Sequence, residues 1–128
     1  MRLFIMMRND MDSLNPGKAC AQASHAANEA VASVEKTNRF ILDGWYADSE
    51  EEKKLAFGTV IVMEGSEKEI LDEIAVTKGV KGIIKSGITI DPTYPIKDGD
   101  TMHHFPIMTC AWAWVSDENF KFNLVPMK

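Results

Sequence analysis

Four side chains with chemistry of their own recur at helical spacing near the start of the chain: Lys18, Gln22, His25 and Glu29. At about 100° per residue they fall within roughly one-sixth of a turn of one another, so a cation, an amide, an imidazole and a carboxylate share one stripe. Such a set can bind an anion, hold a water and move a proton. The solvated face of an ordinary amphipathic helix has the same composition. Lys18 favours the functional reading. It sits in the first helical turn, where the macrodipole disfavours a cation, and a local rule broken without compensation points to function. An ammonium beside the free N–H groups of a helix start makes an anion or oxyanion site. Gly17-Lys18 is not a P-loop, because the upstream Gly is absent and Ala19 stands in the Ser/Thr place. Ser24 lies off the stripe and has no Asp paired with it.

The elements that must position this stripe follow from pattern. Leu3 to Met7 is continuously apolar, as in a strand covered on both faces. Asn15-Pro16 then reads as N-cap and first helical residue, opening a helix to about Glu35. Its alanines are expected to pack on a sheet, away from the Lys18 stripe, and Cys20 is expected to turn with them. Residues 37–54 read as helical pieces broken at Gly44, with Glu50 to Lys54 as a solvated face. Gly58 to Met63 is strand-like. Ser66-Glu67-Lys68-Glu69 is a capping box opening a helix that ends near Lys78-Gly79. Val80 to Ile84 and Ile88 to Ile90 read as extended pieces around a turn at Ser86-Gly87. Residues 91–106 contain Pro92, Pro95, Gly99 and Pro106 and read as a long loop. Ile107 to Val115 is the last strand, with Met108, Cys110, Trp112 and Trp114 on one face and Thr109, Ala111 and Ala113 on the other. The order β-α-β-α-β-β implies an α/β three-layer sandwich with a mixed four-stranded sheet and helices on both faces.

With 128 residues, the chain has the length of a single domain. No apolar run reaches the roughly 18–20 residues of a membrane helix, and no cleavage site follows the short apolar start. Cys20 and Cys110 are too few for a disulfide framework and read as reduced thiols. His103-His104 could bind a metal only with ligands from elsewhere, because no Cys or carboxylate stands at ligand spacing. Trp112 and Trp114 could stack bases, but aromatics on such a strand more often form core under a helix. With 14 Lys+Arg against 19 Asp+Glu, the net charge of −5 opposes simple charge-driven binding to nucleic acid.

Met6-Met7-Arg8-Asn9-Asp10 followed by Gly17-Lys18-Ala19-Cys20-Ala21-Gln22-Ala23-Ser24-His25-Ala26-Ala27 resembles the signature of the type 2 peptidyl-tRNA hydrolases. In that family a strand ends in Arg-x-Asp, and a helix opens with Gly-Lys and continues Ala-x-Gln-x-Ser-His-Ala-Ala. The family's Asp-Ala-Gly-x-Thr motif falls on Lys85-Ser86-Gly87-Ile88-Thr89, where Gly87 and Thr89 fit and Lys85 replaces the Asp. The resemblance implies hydrolysis of the ester between a peptide and the 3′ end of tRNA, without metal or cofactor, in the cytoplasm. It implies catalytic roles for Lys18, His25 and Thr89, and substrate binding by Arg8, Gln22 and Lys85. Asp91, Asp98 and Asp100 are candidates to supply the missing carboxylate. An inactive domain of the same fold that binds RNA or a protein is the alternative, and a homodimer is open. The resemblance also implies that Arg8, Lys18, Lys81 and Lys85 gather on one side, making a local basic cleft despite the overall charge.

Overall fold

Leu3 to Met7 form the buried middle of β1 (Arg2–Arg8), whose two faces meet two separate cores. The computed structural model describes residues 1–47 and 57–128. After β1 come α1 (Pro16–Glu35), α2 (Arg39–Ala47), β2 (Val60–Gly65), α3 (Glu67–Thr77), β3 (Ile83–Asp98), β4 (Thr101–Val115) and β5 (Val125–Pro126). Among the described residues the sheet has five strands in the order β3-β4-β1-β2-β5, one more than expected. The addition is the two-residue β5, too short to leave a pattern in the sequence. β1 and β2 run parallel, and the other pairs are antiparallel.

Alternation along β1 assigns the layers. Leu3, Ile5 and Met7 pack with α1, α2, Cys110, Trp112 and Trp114, whereas Phe4 and Met6 pack with Ile70 of α3, Ala111, Ala113 and Phe122. This is the expected three-layer sandwich. Burying each large apolar side chain contributes about 1.5–3 kcal/mol, and the two tryptophans add direction. The indole N–H of Trp114 donates to the Ala30 carbonyl at 3.1 Å and that of Trp112 to Glu29 Oε1 at 3.0 Å, fastening α1 to the sheet. Both indoles belong to this core and none is a base platform. The caps are as read: the Asn15 side chain accepts from the Lys18 amide, and Ser66 and Glu69 form a reciprocal capping box.

Three expectations are corrected. Residues 91–106 are not a loop but the outer half of one long hairpin, closed by Gly99 and Asp100 with Gly99 at φ 59°. Its prolines are tolerated because the neighbours end: β3 is an edge strand, and β1 pairs with β4 only as far as Met7↔Cys110. Pro106 therefore has no third strand to donate to. Ser86-Gly87 is not a turn but lies mid-strand opposite Ala113 and Trp112. A Cβ on Gly87 would lie 2.4 Å from the Trp112 indole, so glycine here makes room for the ring. Gly44 does not break α2, because burial of Ile41, Leu42 and Trp45 outweighs the roughly 1 kcal/mol cost of a helical glycine. The Glu50–Lys54 run lies outside the described residues.

Candidate active site

A bulge in the hairpin sets the site. Thr89 pairs with Cys110 and the next residue, Ile90, with Met108, so Thr109 is the extra residue in β4. The irregularity reverses the expected sides of two residues. Met108 joins the α3-side core, and Thr109 turns toward α1. There its hydroxyl donates to Gln22 Oε1 at 2.7 Å, and Gln22 Nε2 donates to Asp91 Oδ2 at 2.7 Å. The other Asp91 oxygen accepts from the Thr93 amide at 2.9 Å. One amide side chain, 4% exposed, thus links α1, β4 and β3 through a fully satisfied polar chain. Gln22 is accordingly inside the packed row Ala19, Ala26, Ala30 and Val34, not on a separate stripe.

His25 lies three residues beyond Gln22, one helical turn on and adjacent on the surface. It is exposed, and its charge acts on Asp91. Partial burial pushes the Asp91 carboxyl up. The Thr93 and Gln22 hydrogen bonds and the nearby His25 together outweigh that and hold it below the ordinary carboxylate range. Of the three carboxylates considered, Asp91 is the one bonded to the Gln22 network. Asp98 and Asp100 lie at the hairpin tip, with Asp98 3.9 Å from His103. The Asp91 bonds go to Gln22 and Thr93 rather than to Lys18 or Thr89. Thr89, two residues earlier on β3, is 3% exposed, and its hydroxyl has no hydrogen-bond partner among the described residues.

Lys18 stands one turn before Gln22, at the start of α1. Its ammonium lies 5.3 Å from the centroid of the Tyr94 ring, whose electron-rich face offsets part of the dipole penalty of a cation at this position. Tyr94 is itself fixed by a 3.1 Å hydrogen bond with Ser13 in the β1–α1 connection. Lys18, Tyr94 and Arg8 line a cleft of about 830 Å³ between that connection, α3 and the outer hairpin. Arg8 forms its wall but is already engaged. It pairs with Asp10 at 2.8 Å and Glu67 at 2.7 Å, and donates to the Met108 carbonyl at 3.1 Å. Asp10 also accepts from the Glu67 amide at the start of α3, and the Arg8 hydrogen bond is the main cause holding its carboxyl below the usual range.

The expected gathering of basic residues does not occur. Lys85 Nζ donates to the Ser33 carbonyl at 2.7 Å, at the C-terminal end of α1, where a cation complements the dipole. Lys81 precedes β3 at that same end of the sheet, remote from the Lys18 end of the helix. Lys85 therefore stands neither in the cleft nor in the place of a site carboxylate. Asp91 is the acid that β3 brings to Gln22, and only the hairpin register could show it. Cys20 is exposed, contrary to expectation, and Cys110 is buried. His103 stacks on Phe105 with centroids 5.8 Å apart. No group of three His, Cys, Asp or Glu among the described residues could hold a metal ion. No described helix is long and apolar enough to cross a membrane.

Searched against curated proteins, the chain finds no match. A family model described as peptidyl-tRNA hydrolase PTH2 matches residues 1–94, which takes in α1, Gln22, His25, Thr89 and Asp91.

Proposed function

The chain belongs to the PTH2 family of peptidyl-tRNA hydrolases, and we propose on that footing that it cleaves the ester joining a peptide to the 3′ ribose of tRNA. The observation that carries this reading is the Asp91–Gln22–Thr109 chain beside His25, with Lys18 on the same helix. It supplies a carboxylate to α1 from Asp91, six residues beyond Lys85 on β3. In this reading the ester carbonyl lies against Lys18, whose charge together with the helix dipole stabilises the oxyanion. His25, close enough to Asp91 for the two to interact through space, takes a proton from water as the water oxygen bonds to the carbonyl carbon. The tetrahedral adduct collapses, the bond to the ribose oxygen breaks, and that oxygen recovers the proton from the imidazolium. The peptide acid gives its proton to solvent, and peptide carboxylate and deacylated tRNA leave. Gln22 holds Asp91 rather than touching substrate, and Thr89 is a buried neighbour two residues before Asp91 on β3.

Charge does not support a broad RNA footprint. Arg8 is neutralised by Asp10 and Glu67, and Lys81 and Lys85 lie at the far end of α1. Affinity for tRNA is therefore expected to be modest and to rest on a few cations, with a shallow salt dependence. The test is release of peptide from a peptidyl-tRNA by the intact chain at single turnover. Hydrolysis supports the reading. Salt-sensitive binding of tRNA without hydrolysis would replace it with an RNA-binding domain, and failure of both would leave a protein partner.

A further inference from the structure

The cleft that begins at Lys18 has a lining of its own. Beyond the bulge, β3 and β4 pair, among the described residues, only with each other and extend past the sheet as an arm of about 20 Å. One face of this arm closes the cleft with Pro95, Met102 and Pro106, while Met11 and Met108 face it from the body. Pro95 and the residues after it lie beyond the stretch that the family model matches. We propose that this cleft binds the peptidyl part of the substrate and favours apolar side chains. The proposal rests on the hydrolase reading, because that reading puts the scissile ester at Lys18.

Two groups leave from that ester, a polyanionic nucleotide strand and a peptide, and the cleft beside it can take one of them. Its charges decide against the nucleotide. Arg8 and Glu67 satisfy each other at 2.7 Å, and the remaining lining charges, Lys18, Lys97 and Asp12, leave a net of a single positive charge, too little for a polyanionic strand. What is left beyond Lys18 is thioether, proline ring and aliphatic surface, which suits an uncharged apolar chain and offers little to phosphates. Three methionines suit a substrate whose side chains vary, since a flexible, polarisable thioether repacks around different shapes. Met102 is 52% exposed on the arm, an unfavourable place for a large apolar side chain unless something covers it.

The test uses the full chain with its methionine methyls labelled with carbon-13, titrated separately with N-acetyl-trileucine amide and with a single-stranded RNA trinucleotide. The peptide is expected to shift the Met11, Met102 and Met108 methyls together, leaving the buried Met6 and Met7 methyls in place. Shifts of those three methyls with the trinucleotide alone, or with neither probe, would overturn the proposal. In parallel, kcat/KM is measured on one tRNA carrying either N-acetyl-trileucyl or N-acetyl-triaspartyl. The apolar substrate is expected to be preferred at least tenfold. Met102→Asp should collapse that ratio and Met102→Leu should keep it. A ratio unchanged by Met102→Asp would refute the subsite even with hydrolysis intact. Methyl shifts by the peptide without any hydrolysis would instead refute the hydrolase reading alone.

Discussion

Asp91→Asn tests whether the carboxylate is the keystone of the polar chain. In the wild type its two oxygens take different donors, Gln22 Nε2 at 2.7 Å on one and the Thr93 amide at 2.9 Å on the other. An amide keeps one oxygen, so one of these donors must face an NH2 group. A hydrogen bond to a charged acceptor contributes about 1.5–3 kcal/mol, and the partial exposure of Asp91 puts the loss near the lower end, about 1.5 kcal/mol. For a domain of this size that lowers Tm by about 5 °C at neutral pH. The pH dependence is the sharper readout. Asp91 is depressed below its ordinary value of 3.8 by the Thr93 and Gln22 hydrogen bonds and the nearby His25, which outweigh its burial. A depressed carboxyl contributes stability that is complete above its unfolded value and disappears as pH falls through its folded one. The gap between wild type and variant, followed by thermal unfolding with circular dichroism from pH 7 downward, should therefore hold until the pH approaches 3.8 and narrow below it. Equal stability at pH 7, or a gap that does not narrow below that value, would refute the reasoning.

Four further outcomes follow from the packing. Gly87→Ala should cost about 1–3 kcal/mol, because the added carbon displaces the Trp112 indole from Glu29; a chemical denaturation curve and the tryptophan emission should both change. In native protein one thiol, Cys20, should react quickly with a disulfide reagent, and both only after unfolding. Burial pushes the Cys110 thiol up to about 11 from 9.0, so its contribution is present below pH 9 and is lost as pH rises toward 11; the alkaline limb of the stability curve should flatten in Cys110→Ala. Lys85→Met should lower stability by under about 1 kcal/mol, through loss of the Ser33 contact, and leave tRNA affinity unaltered in a filter-binding assay.

Much of this architecture is local and was legible. Asn15, Pro16, Ser66 and Glu69 announce two helix starts by hydrogen bonds within one turn, and the apolar run of β1 announces a strand covered on both faces. What stayed hidden depends on partners distant in the chain. Pro95 and Pro106 look like loop residues until one sees that β3 is an edge and that β1 stops at Met7. Gly87 looks like a turn until Trp112 is placed across it. The bulge at Thr109 has no sequence signal, yet it turns this hydroxyl toward Gln22. Lys18, Gln22 and His25 were readable from helical spacing and the family-like motif. Asp91 was one of three acids until the register put it on Gln22.

In the proposed reaction Lys18 acts on a peptidyl-tRNA ester. Single-turnover hydrolysis of one peptidyl-tRNA by wild type and Lys18→Ala tests it most directly. Loss of a charged oxyanion partner should slow release about 100-fold or more, with the fold retained by circular dichroism. Equal rates for the two proteins, or no release by the wild type, would contradict it.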